Sequence, residues 1–360
     1  MSEKKHLILV INPGSTSTKI AVYKDKDSLF EEEVMHSNGE LSKFPDIMSQ
    51  QKFRGKLIEN TLDKNGIRLE EIQGFVGRGG LMKPLSGGTY RVNGKMLKDL
   101  KNSVYGKHAS NLGAVFAHEF ASRVGAEAYI VDPVTVDEME ETARVSGIPE
   151  ISRISIFHAL SQKAVARLAA EDLDRRLEDL NLIVVHLGGG ISIGAHRKGQ
   201  VIDVNNAFNG DGPMAPTRSG GLPAWALVEW ALSGKLSREE MNKKISSQGG
   251  LTAYLGTGDI REVKEMIKNG DQKAELIYQA MAYQVSKEIG ACAAVLKGDV
   301  DAVVFTGGIA RDQDFIRLVT DHIRFIAEIM VYPGSHEMEA LALGVLRVLK
   351  GEEKSKEYAP

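Results

Sequence analysis

The chain has 360 residues, a length that predicts about two domains with ample material for a core. Apolar residues make up 42% and charged residues 26%, and the net charge is −3, so the composition offers no general attraction to nucleic acid or an anionic membrane; an anionic ligand must be held by local arginines and backbone amides. The single cysteine, Cys292, excludes an internal disulfide and fits a reducing cytoplasm; within the apolar run 289–296 it reads as a buried structural thiol.

The N-terminal apolar run 7–11 is too short for a signal-peptide core or a membrane span, and no other segment approaches membrane length. The pattern predicts a strand over 6–11, a turn over 12–17 and a returning strand over 19–23. A strand rather than a helix follows the glycine, and GxxxxGK[ST] is absent, so this is not a P-loop. Lys19 reads equally as a phosphate ligand or a solvated strand residue. An amphipathic helix is expected over 52–65. The stretch GFVGRGGLMKPLSGGTY (74–90) presents Arg78 among Gly77, Gly79 and Gly80, where a guanidinium can capture a carboxylate or phosphate in bidentate fashion. The plainer reading is an arginine paired with a structural acid.

His108 and Asn111 precede a helix reaching residue 124, and His108 by itself reads as structural. A strand beginning at 126 ends at Asp132-Pro133; an acid at a strand exit suits a metal or a polar substrate, and equally a turn. A helix is expected over 135–147. Another short apolar piece spans 153–157, and His158 then opens a helix, either serving an anion beside the amides or filling the first turn.

LIVVHLGGGIS (182–192) is an apolar run closed by glycines, which reads as a buried strand entering a tight turn whose N–H groups can cradle phosphate. LILVINPGSTS (7–17) repeats it 175 positions earlier with five identities in eleven. A duplicated unit follows: two similar lobes, each offering a phosphate loop to a shared cleft. Next come a strand, a turn at 198–199 and a strand over 201–204. The Gly- and Pro-rich stretch 209–221 carries Arg218 and repeats the Arg78 pattern, so two arginines are available to neutralise a doubly charged reaction centre. Helices are expected over 225–232 and 238–246, a loop over 249–259, and Asp259 as N-cap of a helix over 260–268. A long core helix covers 275–296. The buried strand 301–305 runs into Thr306-Gly307-Gly308 and a helix to 319, an element on which a base or ribose can lie. A strand over 328–331 precedes Glu337, Glu339 and a closing helix over 340–349; the two acids read as partners of the helix dipole or as Mg²⁺ ligands. The charged tail 351–360 is expected to fray.

These motifs stand in order over nearly the whole chain: NPGSTSTK at 12–19, VGRGG at 76–80, FHALSQKAVAR at 157–167, HLGGGIS at 186–192, PTRSGG at 216–221, FTGGIA at 305–310 and EMEALALG at 337–344. The chain thereby resembles the acetokinase family, and its butyrate kinase branch most closely. The resemblance implies an α/β, two-domain, duplicated ribonuclease H-like (actin-like ATPase) fold with ATP and substrate in the interdomain cleft. The N-terminal domain would span 1–150, with residues 340–360 packing back on it, and the nucleotide-binding domain 151–339. The implied activity is reversible phosphoryl transfer from ATP to a short-chain or branched fatty acid, giving ADP and an acyl phosphate. Asn12 matches the residue near the metal and the transferring phosphate; Gly14, Ser15, Thr16 and Lys19 belong to the same nucleotide hook. Arg78 and Arg218 match the pair that grips the substrate carboxylate and γ-phosphate, Asp132 the acid near Mg²⁺, and His158 the donor to the phosphoryl oxygens. His186, Gly188, Gly189 and Gly190 match the β/γ-phosphate loop. Asp259 and Arg261 match a nucleotide-contacting Asp-x-Arg, and Gly307, Gly308, Ile309 and Ala310 the adenosine loop. For the C-terminal metal acid Glu339 is favoured, with Glu337 the alternative, because Met338 separates them where acetate kinases have adjacent glutamates. The partners implied are ATP/ADP, Mg²⁺, a short-chain carboxylate or acyl phosphate, and a further copy of the chain as a homo-oligomer in the cytoplasm; no nucleic acid or membrane is implied.

Two departures point away from acetate: the histidine motif is FHALSQ rather than FHG with a second histidine, and the chain is shorter than typical acetate kinases. A carboxylate is already nucleophilic at pH 7, so the expected catalysis is positioning plus electrostatics in direct in-line transfer, without a phosphoenzyme. The rival readings are an acetate or propionate kinase and, from another class, a non-enzymatic ATP-gated binding protein of the same superfamily.

Overall fold

A computed structural model describes residues 5–359. The chain divides into two compact units: the first runs to Val136 and resumes at His336, and the second is Asp137–Ser335.

In the first unit, β1 (Leu7–Pro13), β2 (Ser17–Lys24) and β3 (Asp27–Met35) form an antiparallel meander. Strands β4 (Gly74–Arg78) and β6 (Ala128–Val131) continue the sheet parallel to β1, and β5 (Thr89–Arg91) pairs antiparallel with β6. Leu9 and Ile11 enter a core with Phe75, Phe116 and Phe120, to which helices Gln51–Lys64 and Asn111–Arg123 contribute. Helix Glu337–Leu349 packs on β1, β4 and β6, with Val345 and Leu349 close to Ile8 at Gly74. Burial on both faces explains why β1 reads as an unbroken apolar run rather than an alternation. Helix Asn111–Arg123 lies so near β4 that a Cβ on Gly77 would fall 2.0 Å from the Gly113 carbonyl oxygen.

In the second unit, β7 (Asn181–Leu187), β8 (Ile191–Arg197) and β9 (Gln200–Val204) repeat the antiparallel meander, and β10 (Ala302–Gly307) and β11 (Glu328–Pro333) follow parallel to β7. The order β11-β10-β7-β8-β9 matches β6-β4-β1-β2-β3 strand for strand and direction for direction. The duplication suggested by two apolar hooks therefore extends to the connectivity of both sheets. Alternate residues of β7 point to opposite faces: Leu182 and Val184 pack with helix Ala159–Asp172, and Ile183 and Val185 with helix Gln272–Val295. Cys292, on the latter helix, is buried, and burial pushes its thiol well above the ordinary value, as a structural role requires.

Several local expectations are corrected. The helix expected over 135–147 is reduced to Glu141–Arg144, because neighbouring backbone groups are engaged elsewhere. Leu85 N–H donates to the Thr135 carbonyl, Glu140 N–H donates to the Ile202 carbonyl, and Arg144 clasps both Asp137 carboxylate oxygens at 2.7 Å. The same contacts move the division of the chain from residue 150 to Val136/Asp137. The loop expected over 249–259 contains a helix, Gly250–Leu255, stopped by Gly256 at φ +80°. Over its described residues the tail does not fray: Lys356–Glu357 pairs with Tyr90 and Arg91, and Tyr358 is buried; Pro360 lies outside the described residues. The helix expected over 225–232 forms as Ala224–Leu232 but buries none of its residues.

Candidate active site

Each unit carries part of the predicted residue set. In the first unit, the β1–β2 turn is closed by Gly14 N–H donating to the Ser17 carbonyl at 2.8 Å. Arg54, 1% exposed, lies beneath it and was not anticipated. Its guanidinium donates to the carbonyls of Gly14, Ser15 and Ser17, to Thr18 Oγ1 and to Gln50 Oε1, at 2.9–3.2 Å. Those carbonyls are thus turned inward. The only available signal was a lone arginine beside Phe53, Leu57 and Ile58. Burial pulls the Arg54 guanidinium below its ordinary value. Lys19 stands opposite Glu33 in the β2–β3 register, its Nζ 3.8 Å from that carboxylate.

Asn12 ends β1 and Arg78 ends the neighbouring parallel strand β4. Both meet one acid: Glu337 Oε2 accepts from Asn12 Nδ2 at 3.1 Å and from Arg78 Nη1 at 2.7 Å. Glu339 instead lies 3.5 Å from His336. Residues two apart on a helix point about 200° apart, so only one of these glutamates can face Asn12 and Arg78. Asp132 follows β6 with φ +37°, a left-handed conformation that few side chains adopt and that marks a constrained position. Its carboxylate accepts from Gly88 N–H at 2.6 Å, and its own N–H donates to the Gly88 carbonyl.

In the second unit, His158 caps helix Ala159–Asp172 and stacks on His186 at the end of β7, with ring centroids 3.8 Å apart and planes 11° apart. Each ring is held through Nδ1 by a serine: Ser192 Oγ at 2.9 Å from His158, and Ser161 Oγ at 2.9 Å from His186. The Gly188–Gly190 turn follows, with Gly188 N–H donating to the Gly190 carbonyl. Thr217 ties the Arg218 loop to this turn through its N–H and hydroxyl, both donating to the Gly189 carbonyl. The Arg218 guanidinium lies against Gly190, donates from Nη1 to the Ala207 carbonyl and sits 5.2 Å over the Phe208 ring. Its Nε–H is buried without a partner, an arrangement suited to an incoming anion.

A cleft of about 980 Å³ opens beside this turn, large enough for a nucleotide. It brings together Gly188, Gly189, Asp259, Arg261, Gly308 and Ile309. Lys264, Arg311 and Asp312 also line it and were not anticipated. Lys264 bridges Asp312 and Asp314, and Tyr278 donates to Asp312. Asp259 caps helix Ile260–Lys268, and the Arg261 guanidinium bonded to it holds its carboxyl down at about 2. Among the described residues, no three His, Cys, Asp or Glu side chains stand together as a metal-binding group, and no helix is long and apolar enough to cross a membrane.

The sequence model of the acetokinase family matches residues 108–330. The chain belongs to the acetokinase family. Members of this family are kinases that phosphorylate carboxylates and use ATP. The fold is similar to that of Porphyromonas gingivalis acetate kinase, with TM-score 0.78 at 22% identity over 96% of this chain and 100% of that one. A propionate kinase from Francisella tularensis subsp. tularensis SCHU S4 gives 0.73 at 21% identity, covering 94% and 98%. A ROK family protein from Streptococcus pneumoniae TIGR4, solved with sucrose, gives 0.53 at 13%, covering 96% and 100%, and shares the two-sheet fold.

Proposed function

We propose that this acetokinase-family chain transfers the γ-phosphoryl of ATP to butyrate, or to another short or branched fatty acid, reversibly and without a phosphoenzyme. The observation that carries the reading is the Arg218 guanidinium, whose buried Nε–H has no partner beside the Gly188–Gly190 turn; Arg78 meets an acid of the chain, Glu337, through Nη1 at 2.7 Å. A group that holds one carboxylate there has the fork geometry to hold another. Arg218, with its unpartnered buried Nε–H, is the second cation, suited to phosphoryl oxygens. His158, fixed by Ser192, is the hydrogen-bond donor to the transferring group, and the Gly188–Gly190 turn takes the β/γ-phosphates. The cleft lined by Asp259, Arg261, Gly308 and Ile309 takes the nucleoside. Repulsion between two anions is the main obstacle, and positioned cations lower it most effectively where water is excluded.

Asn12 and Glu337, which meet at 3.1 Å, and Asp132 offer hard oxygen donors, the chemistry that would hold Mg²⁺, an ion that keeps water and phosphate ligands and takes one or two carboxylates from a protein. When bound it neutralises developing phosphate charge. Glu337, which meets Asn12, supports this role better than Glu339.

The acetate/propionate reading is favoured by the likeness to solved acetate and propionate kinases, while FHALSQ and the shorter chain favour butyrate. Each methylene buried in an acyl pocket is worth about 0.8 kcal/mol, roughly fourfold in kcat/KM. Trapping the acyl phosphate as hydroxamate and comparing kcat/KM decides between them. Higher kcat/KM for butyrate than for acetate is expected; the reverse order overturns the butyrate reading.

A further inference from the structure

The geometry points to Gln162 as a positioning residue that selects, through Ser192, which nitrogen of His158 carries the proton. The starting point is a backbone carbonyl, which can only accept. Gln162 Nε2 donates to the Ser192 carbonyl at 3.0 Å, and this fixes the orientation of the amide. The same nitrogen lies 2.8 Å from Ser192 Oγ and donates to it. His158 N–H also points at that oxygen, at 3.4 Å. Ser192 Oγ is therefore already an acceptor, and its one proton is directed to His158 Nδ1 at 2.9 Å. A neutral imidazole that accepts at Nδ1 carries its proton on Nε2.

The opposite end of the chain is set the same way. Gln162 Oε1 faces His196 Nε2 at 3.0 Å and must accept from it. His196 is completely buried, and desolvation, with Lys163 and Arg167 adding, keeps its ring neutral, so a single proton at Nε2 meets the requirement. Gly194 leaves the room: a Cβ there would lie 2.6 Å from Gln162 Oε1. Gln162 lies in the first turn of the helix that His158 precedes, and its N–H donates to the His158 carbonyl at 2.9 Å. The relay His196–Gln162–Ser192–His158 runs entirely through groups buried or half-buried in one unit.

The functional meaning rests on the proposed role of His158: an Nε2–H donor aimed at a phosphoryl oxygen needs its proton on Nε2, and the relay holds it there before substrate arrives. The tautomer itself is independent of that role. It is read by long-range ¹H–¹⁵N correlation on ¹⁵N-histidine-labelled protein, with His158 assigned by the resonance lost in His158→Asn. Wild type is expected to show the Nε2–H pattern. In Gln162→Met, Ser192 loses its donor and the pattern shifts to a mixture of tautomers. That variant is expected to lose about tenfold or more in kcat with KM for ATP nearly unchanged. An Nδ1–H pattern in wild type, which needs no variant to fold, overturns the inference, as does an unchanged pattern in folded Gln162→Met. Should the relay signatures hold while no carboxylic acid is phosphorylated, the tautomer assignment stands and the proposed reaction falls.

Discussion

Replacing Gly190 by alanine isolates the role of Arg218 in this family member. The backbone at Gly190 is not left-handed, so alanine brings no conformational strain. The added Cβ would lie 1.8 Å from Arg218 Nη1 and 2.5 Å from Cζ, against an ordinary contact of 3.4 Å or more. The obstructing atoms are the end of a long side chain, so the backbone holds and the guanidinium retreats by roughly 1.5 Å. The retreat releases the Ala207 carbonyl and costs about 1 kcal/mol of stability. Displacing a group by about 1 Å from its reacting partner costs on the order of 10²-fold in rate, equivalent to about 2.7 kcal/mol of transition-state stabilisation. Gly190→Ala is therefore expected to unfold in urea nearly as wild type does while kcat, measured by hydroxamate trapping, falls about 100-fold. Because the loss acts through one side chain, Gly190→Ala combined with Arg218→Ala should be no slower than Arg218→Ala by itself. Near-native turnover in Gly190→Ala, or losses that multiply in the double variant, would refute the reasoning.

Arg54→Met strips the guanidinium from three carbonyls of the first turn; a loss of about 3 kcal/mol in unfolding free energy and a raised KM for ATP are expected, and an unchanged urea midpoint would contradict the assignment. Glu337→Gln should reduce kcat at least tenfold and raise the Mg²⁺ concentration for half-activity, whereas Glu339→Gln should do neither; the opposite pattern would restore Glu339 as the metal acid. Stability should also fall at mildly acid pH. Burial keeps His196 neutral in the folded unit, while the unfolded chain takes up that proton near pH 6.5, so below this value the unfolded state binds more protons. Unfolding free energy should then drop by up to about 1.4 kcal/mol per pH unit from this ring as pH falls below 6.5. Urea titrations at pH 7.5, 6.0 and 5.0 on wild type and His196→Gln test this, and identical slopes for both would refute it.

Much of this protein is legible in its residues taken in order. The two hooks and the duplication they imply, Arg78 and Arg218 among glycines, and His158 at a helix start all depend on neighbours within about ten positions. There, apolar runs, glycines and caps act directly on the backbone. Local pattern failed where distant backbone captured a segment, as at 135–147, and where a charged tail found a strand edge at Tyr90–Arg91. It was equally silent on which side chains meet. A helical period tells which residues share a face but not what the face is packed against. Glu337 rather than Glu339 on Arg78, Arg54 under the first turn, and Gln162 behind Ser192 were therefore decided only when helices far away in sequence docked on the sheets.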